Sequence, residues 1–281
     1  MFLCRNSNFT PISFLIIVFQ MISKNTIKLI KSLAIKKIRA KENLFLVEGD
    51  KIVAEVLESK FPVEKLYATG TFIVKNKSKT KNAKSVTEVS SEDIKQVSLM
   101  KNPQNSIALC ALPAEKELPE RIDSNLSIYL DDIQDPGNLG TIIRICDWFG
   151  IELLFCSPKT ADLFNPKVIQ ASMGSFCRVE VHYTSFEPVA ALVDKLGIPV
   201  FGAFLNGKNI YEQKLPPRAL LVMGNEGNGI SAGIENKIER KIKIPEFNKI
   251  TKSAESLNVS IATGIICSEF KRQTLFSSYS K

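Results

Sequence analysis

ALLVMGNEGNGIS, residues 219–231, opens with five consecutive apolar side chains and then places Gly224, Gly227 and Gly229 within six residues. An apolar run without polar alternation reads as a strand covered on both faces, which implies a parallel sheet with helices on either side. The glycines behind it make a loop whose backbone can approach a ligand more closely than a Cβ would allow. Strands of the same kind are expected at 127–130, 153–156, 179–183, 199–203 and 241–244, with helices between them. In such a sheet ligands bind beyond the carboxyl ends of the strands. That directs attention to the loops after Leu130, Ala203, Met223 and Ile244.

Upstream the rhythm is different. Between Thr26 and Leu112, short apolar runs at 44–47, 65–68, 85–89 and 107–112 alternate with amphipathic segments at 26–36, 50–59 and 91–99, and a basic turn is expected at 37–43. This reads as a small α/β layer unit. The chain therefore divides into an extension at 1–23 outside the fold, a domain at 24–113, a linker at 114–125 within the mixed-charge stretch 113–125 that holds two prolines, and a second domain at 126–281.

With 281 residues, 44% hydrophobic and 23% charged, the chain can bury a core without disulfide or metal staples. The apolar run at 14–19 is far too short to span a bilayer, which argues against a membrane protein. Six cysteines carry no C-x-x-C pair and read as buried thiols of a reducing, cytoplasmic compartment. The single histidine, His182, excludes a histidine dyad or a multi-histidine metal site, and its place in a strand-like run suggests a solvated or half-buried side chain; no metal is expected.

The charge of +8 is uneven, since residues 1–125 hold 20 Lys and Arg against 13 Asp and Glu. Lys24, Lys28, Lys31, Lys36, Lys37, Arg39 and Lys41 follow one another with no acid among them, and Lys75, Lys77, Lys79, Lys81 and Lys84 form a second cluster. A polyanion such as RNA suits that half, with Lys36, Lys37, Arg39 and Lys41 as the contacting patch. A solvated helix face and a flexible lysine-rich loop are the plainer alternatives.

Four further stretches carry chemistry by residue type. NLGTIIR (138–144) opens a helix after Pro136 and Gly137; NPKVIQASMGS spans 165–175; Ile244 and Pro245 precede SLNVSIATGI (256–265), where Ser256 is a plausible N-cap. Alone, each has a structural reading as turn or cap, and MGNEGNG lacks the G-x-G-x-x-G spacing of a dinucleotide site. In order and spacing, however, these stretches resemble the signature motifs of the SpoU-type RNA ribose 2'-O-methyltransferases of the SPOUT superfamily. KKIRAKENLFLVEGDKIVAEVL (36–57) is similar to that family's ribosomal-protein-like substrate-binding domain.

The resemblance implies methyl transfer to a ribose 2'-hydroxyl of ribosomal or transfer RNA by a parallel-sheet α/β domain closed by a C-terminal trefoil knot, preceded by a small α/β RNA-binding domain, with S-adenosylmethionine as cofactor and a homodimer completing the site. By position it implies that Ala203, Leu205, Met223, Gly224, Ile244 and Leu257 hold the cofactor. Asn138, Arg144, Glu226, Ser256 and Asn258 would surround the transfer site. Methyl transfer from a sulfonium needs alignment of the acceptor oxygen more than a metal or a histidine. A guanidinium stays protonated in proteins, so Arg144 is expected to bind phosphate and developing negative charge, with Glu226 and Asn258 fixing geometry. The segment FNKITKSAE (247–255) is longer than the usual family connection. The competing expectation is an RNA-binding assembly factor of the same fold without activity.

Overall fold

The computed structural model describes residues 18–19, 21–114, 116–122, 126–248 and 255–278. The first sheet is built from β1 (Val18–Phe19), α1 (Lys24–Ser32), α2 (Lys36–Glu42), β2 (Leu44–Glu48), α3 (Asp50–Val56), β3 (Val63–Ala68), α4 (Gly70–Lys75), α5 (Lys77–Thr80), β4 (Val86–Glu88), α6 (Ser91–Val97) and β5 (Ser106–Ala111). Its strand order is β1-β4-β3-β5-β2, with β5 antiparallel to both neighbours and the other pairs parallel. Two expectations are corrected here. The basic stretch at 37–43 is helical, because Asn43 in the left-handed conformation closes α2 just before β2. Residues 18–19 and 21–23 belong to the fold: β1 joins the sheet edge, Ile22 is buried and Ser23 caps α1. The expected extension at 1–17 lies outside the described residues.

The second sheet follows from β6 (Leu126–Leu130), α7 (Pro136–Trp148), β7 (Leu153–Cys156), α8 (Pro166–Ser172), β8 (Glu180–Tyr183), α9 (Phe186–Lys195), β9 (Val200–Asn209), β10 (Ala219–Met223), α10 (Ala232–Glu235), β11 (Arg240–Lys243) and α11 (Val259–Ser278). All six strands are parallel, in the order β11-β9-β10-β6-β7-β8. Every residue of β6, β7 and β10 is buried, as continuous apolar runs demand. The chain runs outward from β6 to β8 and then crosses to the far side of β6, so the order reverses between β6 and β10. Register pairs Leu130 with Met223 and Leu130 with Cys156, aligning their carboxyl ends.

β9 is irregular. Its residues 201–202 pair with Arg240 and Lys241, and 208–209 pair with Ile242 and Lys243, so five residues, 203–207, leave the ladder. Gly207 brings this excursion back against β11, where a Cβ would lie 2.4 Å from the carbonyl carbon of Ile242.

The two sheets share one apolar core. Phe45 of β2 and Phe61 meet Phe164 and Phe176, with ring centroids 4.6 Å apart for Phe45 and Phe164 and 5.5 Å for Phe61 and Phe176. Arg39 reinforces that junction: it is 2% exposed, is ion-paired to Asp162, and donates to the carbonyls of Leu33 (2.7 Å) and Ala34 (3.0 Å). The expectation that Arg39 faces RNA is thereby corrected. A guanidinium enclosed by two carbonyls and a carboxylate ties the two sheets together and offers no surface charge.

His182 is buried against Phe155, centroids 5.9 Å apart, where the sequence suggested at least partial solvation. The lysine tract is also more ordered than a flexible loop, since α4 and α5 run through it and Lys79 and Lys84 pair with Glu58 and Glu64.

Candidate transfer site at the carboxyl end of the parallel sheet

The loops that follow β6 and β10 lie where the strand order reverses, the usual place for a ligand crevice in an open parallel sheet. Asp135 starts α7 as its N-cap, accepting from the Asn138 N–H at 2.8 Å, with Pro136 at the first helical position. That cap fixes Asn138 at the mouth of the crevice. Its Nδ2 donates to Glu226 Oε1 at 2.6 Å, and its Oδ1 accepts from Asn258 Nδ2 at 2.9 Å. Asn258 in turn caps α11, since its Oδ1 accepts from the N–H groups of Ser260 (3.0 Å) and Ile261 (3.3 Å). Three loops distant in sequence thus converge on one amide.

The cap expected at Ser256 is therefore supplied two residues later by Asn258, and Ser256 is exposed in the approach to the helix. The reason is geometric: α11 begins at Val259, which puts Asn258 and not Ser256 at the N-cap position.

The glycine loop is a closed structure in its own right. Asn225 and Gly229 exchange backbone hydrogen bonds of 3.0 and 2.9 Å, so a Cβ on Gly224 would fall 2.3 Å from the Gly229 carbonyl carbon. Asn225 Nδ2 donates to the carbonyl of Asp132 at 2.7 Å, while its Oδ1 accepts from Gly227 and Asn228. Asp131 is buried and accepts from the Ser231 N–H at 2.7 Å. These braces were missed in the sequence. The Asp-Pro-Gly-Asn order at 135–138 was a readable helix start, but nothing local announces that Asn225 reaches Asp132.

Among the residues expected to hold the cofactor, Met223 is buried at the end of β10, and Ala203 and Ile244 pack at the edge of the core. Leu205 and Leu257 stand exposed. Ala203, Gly224 and Ile244 follow or lie within three neighbouring strands, β9, β10 and β11. Apolar side chains near the carboxyl ends of these strands suit the faces of an adenosine base.

Arg144 is not brought into this network. It lies six residues beyond Asn138 on α7, about 9 Å along the axis and about 120° around it, and it is exposed with no hydrogen bond or ion pair to any described residue. Arg178, by contrast, is held by Asp147 and Glu55. Lys36, Lys37 and Lys41 are exposed on α2 and likewise unpaired among the described residues. No described group of His, Cys, Asp and Glu has the makings of a metal site. The five described cysteines are free, and burial pushes their thiols up, that of Cys177 to about 11 and that of Cys267 to about 12, which removes them as nucleophiles. No described helix is long and apolar enough to cross a membrane.

Residues 125–268 match the SpoU rRNA Methylase family, and residues 24–108 match the MRM3-like substrate binding domain. The 23S rRNA (guanosine(2553)-2'-O)-methyltransferase RlmP of Bacillus subtilis is 31% identical over 237 residues, covering 84% of this chain and 92% of its own length. A Porphyromonas gingivalis protein assigned to the TrmH family of RNA methyltransferases has a structure that superposes with a TM-score of 0.78 at 39% identity, covering 90% of this chain and all of that one. The AdoMet-bound rRNA methyltransferase of Sinorhizobium meliloti superposes with a TM-score of 0.77 at 26% identity, over 89% and 95% of the two chains. Motif order, parallel sheet and convergent loops agree with these matches, and the chain belongs to the SpoU rRNA methylase family.

Proposed function

We propose that this protein transfers a methyl group from S-adenosylmethionine to a ribose 2'-hydroxyl of ribosomal RNA. The observation that carries the reading is the Asn138–Glu226–Asn258 constellation, which collects one polar side chain from each of three loops at the sheet's carboxyl edge. Gly224, Ile244 and Leu257, with Ala203, Leu205 and Met223, would hold the cofactor. When bound, it supplies an activated sulfonium methyl, so the chain's own work is alignment and proton management.

Glu226 Oε1 is engaged by Asn138, while Oε2 takes no hydrogen bond from a described residue and is open to accept one from the ribose hydroxyl. Asn138 and Asn258 keep that carboxylate in register. Arg144 would meet the adjacent phosphate and the developing charge on the 2'-oxygen. Ser256 would add a hydroxyl beside it. In one chain Arg144 stands apart from Glu226, so the reading requires a homodimer in which a second copy's Arg144 completes the site. Supporting it, Ile145 of α7 packs near Gly264 of α11, and that contact is flanked by Trp148, 84% exposed, and the exposed Ile261.

The excursion at 203–207 and the bonds from Gln273 of α11 to Gln213 and Leu215 support a trefoil knot around the cofactor loops. Residues 24–113 serve as the RNA-binding domain, 114–125 as linker and 126–281 as the methyltransferase domain, with Lys36, Lys37 and Lys41 on phosphates. Acting on ribosomal RNA, the protein would work in the cytoplasm.

The test is methyl transfer from labelled S-adenosylmethionine to unmethylated large-subunit rRNA. Arg144→Ala and Glu226→Gln should each be inactive yet bind cofactor, and mixing the two should restore turnover. Cofactor binding without transfer by the native protein would favour the non-catalytic assembly factor, and no recovery on mixing would remove the shared site.

A further inference from the structure

A groove of about 580 Å³ lies between the two sheets and opens beside the transfer site. One wall is the loop 98–105, which two carboxylates hold in place. Glu48, at the end of β2, accepts from the Ser98 hydroxyl and from the Leu99 N–H at 3.1 Å; Asp50 accepts from the Asn105 N–H (2.8 Å) and Nδ2 (2.7 Å) and from the Ser106 hydroxyl (3.0 Å). The loop so fixed presents Leu99 and Met100 to the groove. The opposite wall is α8, which contributes Asn165, Lys167 and Gln170. Pro136 closes the end nearest the transfer site, two residues before Asn138 on the same helix.

The occupant follows from three features. The Gln170 amide is half-buried and has no hydrogen-bond partner among the described residues. Asn165 spends its Oδ1 on the Lys167 N–H (2.9 Å) and keeps its Nδ2 open. The remaining surface there is aliphatic, with a single lysine and the buried Glu48, a balance that disfavours a phosphate and favours a flat, uncharged ring with a polar edge. A ribose placed at Asn138 carries its own base, and its neighbours' bases, within reach of Pro136.

Resting on the methyltransferase reading, we propose that this interdomain groove seats an unstacked nucleobase of the substrate RNA, packed against Leu99 and Met100 and read along its edge by Gln170 and Asn165. The groove would then select the nucleotide, while the constellation at Asn138 performs the transfer.

The probe is in vitro transcribed large-subunit rRNA carrying 4-thiouridine or 6-thioguanosine, photocrosslinked to the full-length protein. Crosslinks are expected within 98–101 and 165–170, and Gln170→Ala should raise KM for that RNA about tenfold through loss of an edge contact, with kcat and cofactor affinity unchanged. Leu99→Ser, on the exposed loop, should act the same way and covers the case in which α8 tolerates no change. Crosslinks confined elsewhere, with native KM in both variants, would overturn the groove and leave the methyltransferase reading intact. A Lys167→Met variant that flattens the salt dependence while Gln170→Ala has no effect would make this a phosphate track and overturn it equally. Crosslinks in the groove without methyl transfer by the native protein would uphold the groove and sink the catalytic reading.

Discussion

Replacing Arg39 by methionine separates a structural clamp from an RNA contact. Removing one member of a buried ion pair costs about 3–5 kcal/mol because the other charge is left unpaired. Asp162 keeps 19% side-chain exposure and a hydrogen bond from the Phe164 N–H, so the lower end, about 3 kcal/mol, applies. The buried Leu33 carbonyl loses its donor, about 1 kcal/mol more. Against this, Arg39 Nε is buried without a partner, and deleting it returns about 1 kcal/mol. The net loss is about 3 kcal/mol, or about 6–12 °C in Tm for a protein of this size. Arg39→Met with Asp162→Leu should recover most of it, because no carboxylate is then stranded. The assay is thermal and urea unfolding of both variants, paired with RNA affinity over a salt series. A stability change within about 0.5 kcal/mol, together with a salt slope reduced by about 0.7–0.9, would show that Arg39 contacts phosphate and would refute the clamp.

Gly224→Ala should abolish measurable S-adenosylmethionine binding by calorimetry, because the new methyl would meet the backbone of Gly229 and Ile230 at 2.3 Å and neither can yield without opening the loop. Glu226→Gln keeps an acceptor for Asn138 yet removes the carboxylate; kcat should fall about a hundredfold or more with cofactor affinity unchanged, and a variant with native kcat would leave Glu226 a purely structural role. Burial holds the His182 imidazole below its usual pKa of 6.5, and Glu180 only partly opposes the effect, with Lys116 and Lys60 also facing it. The unfolded chain therefore binds the proton first. Stability should decline as pH falls from about 6.5, and His182→Gln should remove that part of the slope in urea unfolding.

Much of this molecule is legible along the chain. Continuous apolar runs specify buried parallel strands, since a strand covered on both faces tolerates no polar alternation, and β6, β7 and β10 fall within a residue of where periodicity puts them. Motif order likewise identifies the loops that bear Asn138, Glu226 and Asn258. Other features depend on which side chains meet across more than a hundred residues, and no local signal carries that. Arg39 reads as one more cation in a basic run until Asp162, 123 positions away, encloses it. Asn258 displaces Ser256 as the cap because α11 begins at Val259, a boundary that hydroxyl preference along the chain does not mark. Composition and order determined the fold class and the family; tertiary structure alone decided which charges reach solvent, since burial is a property of neighbours in space.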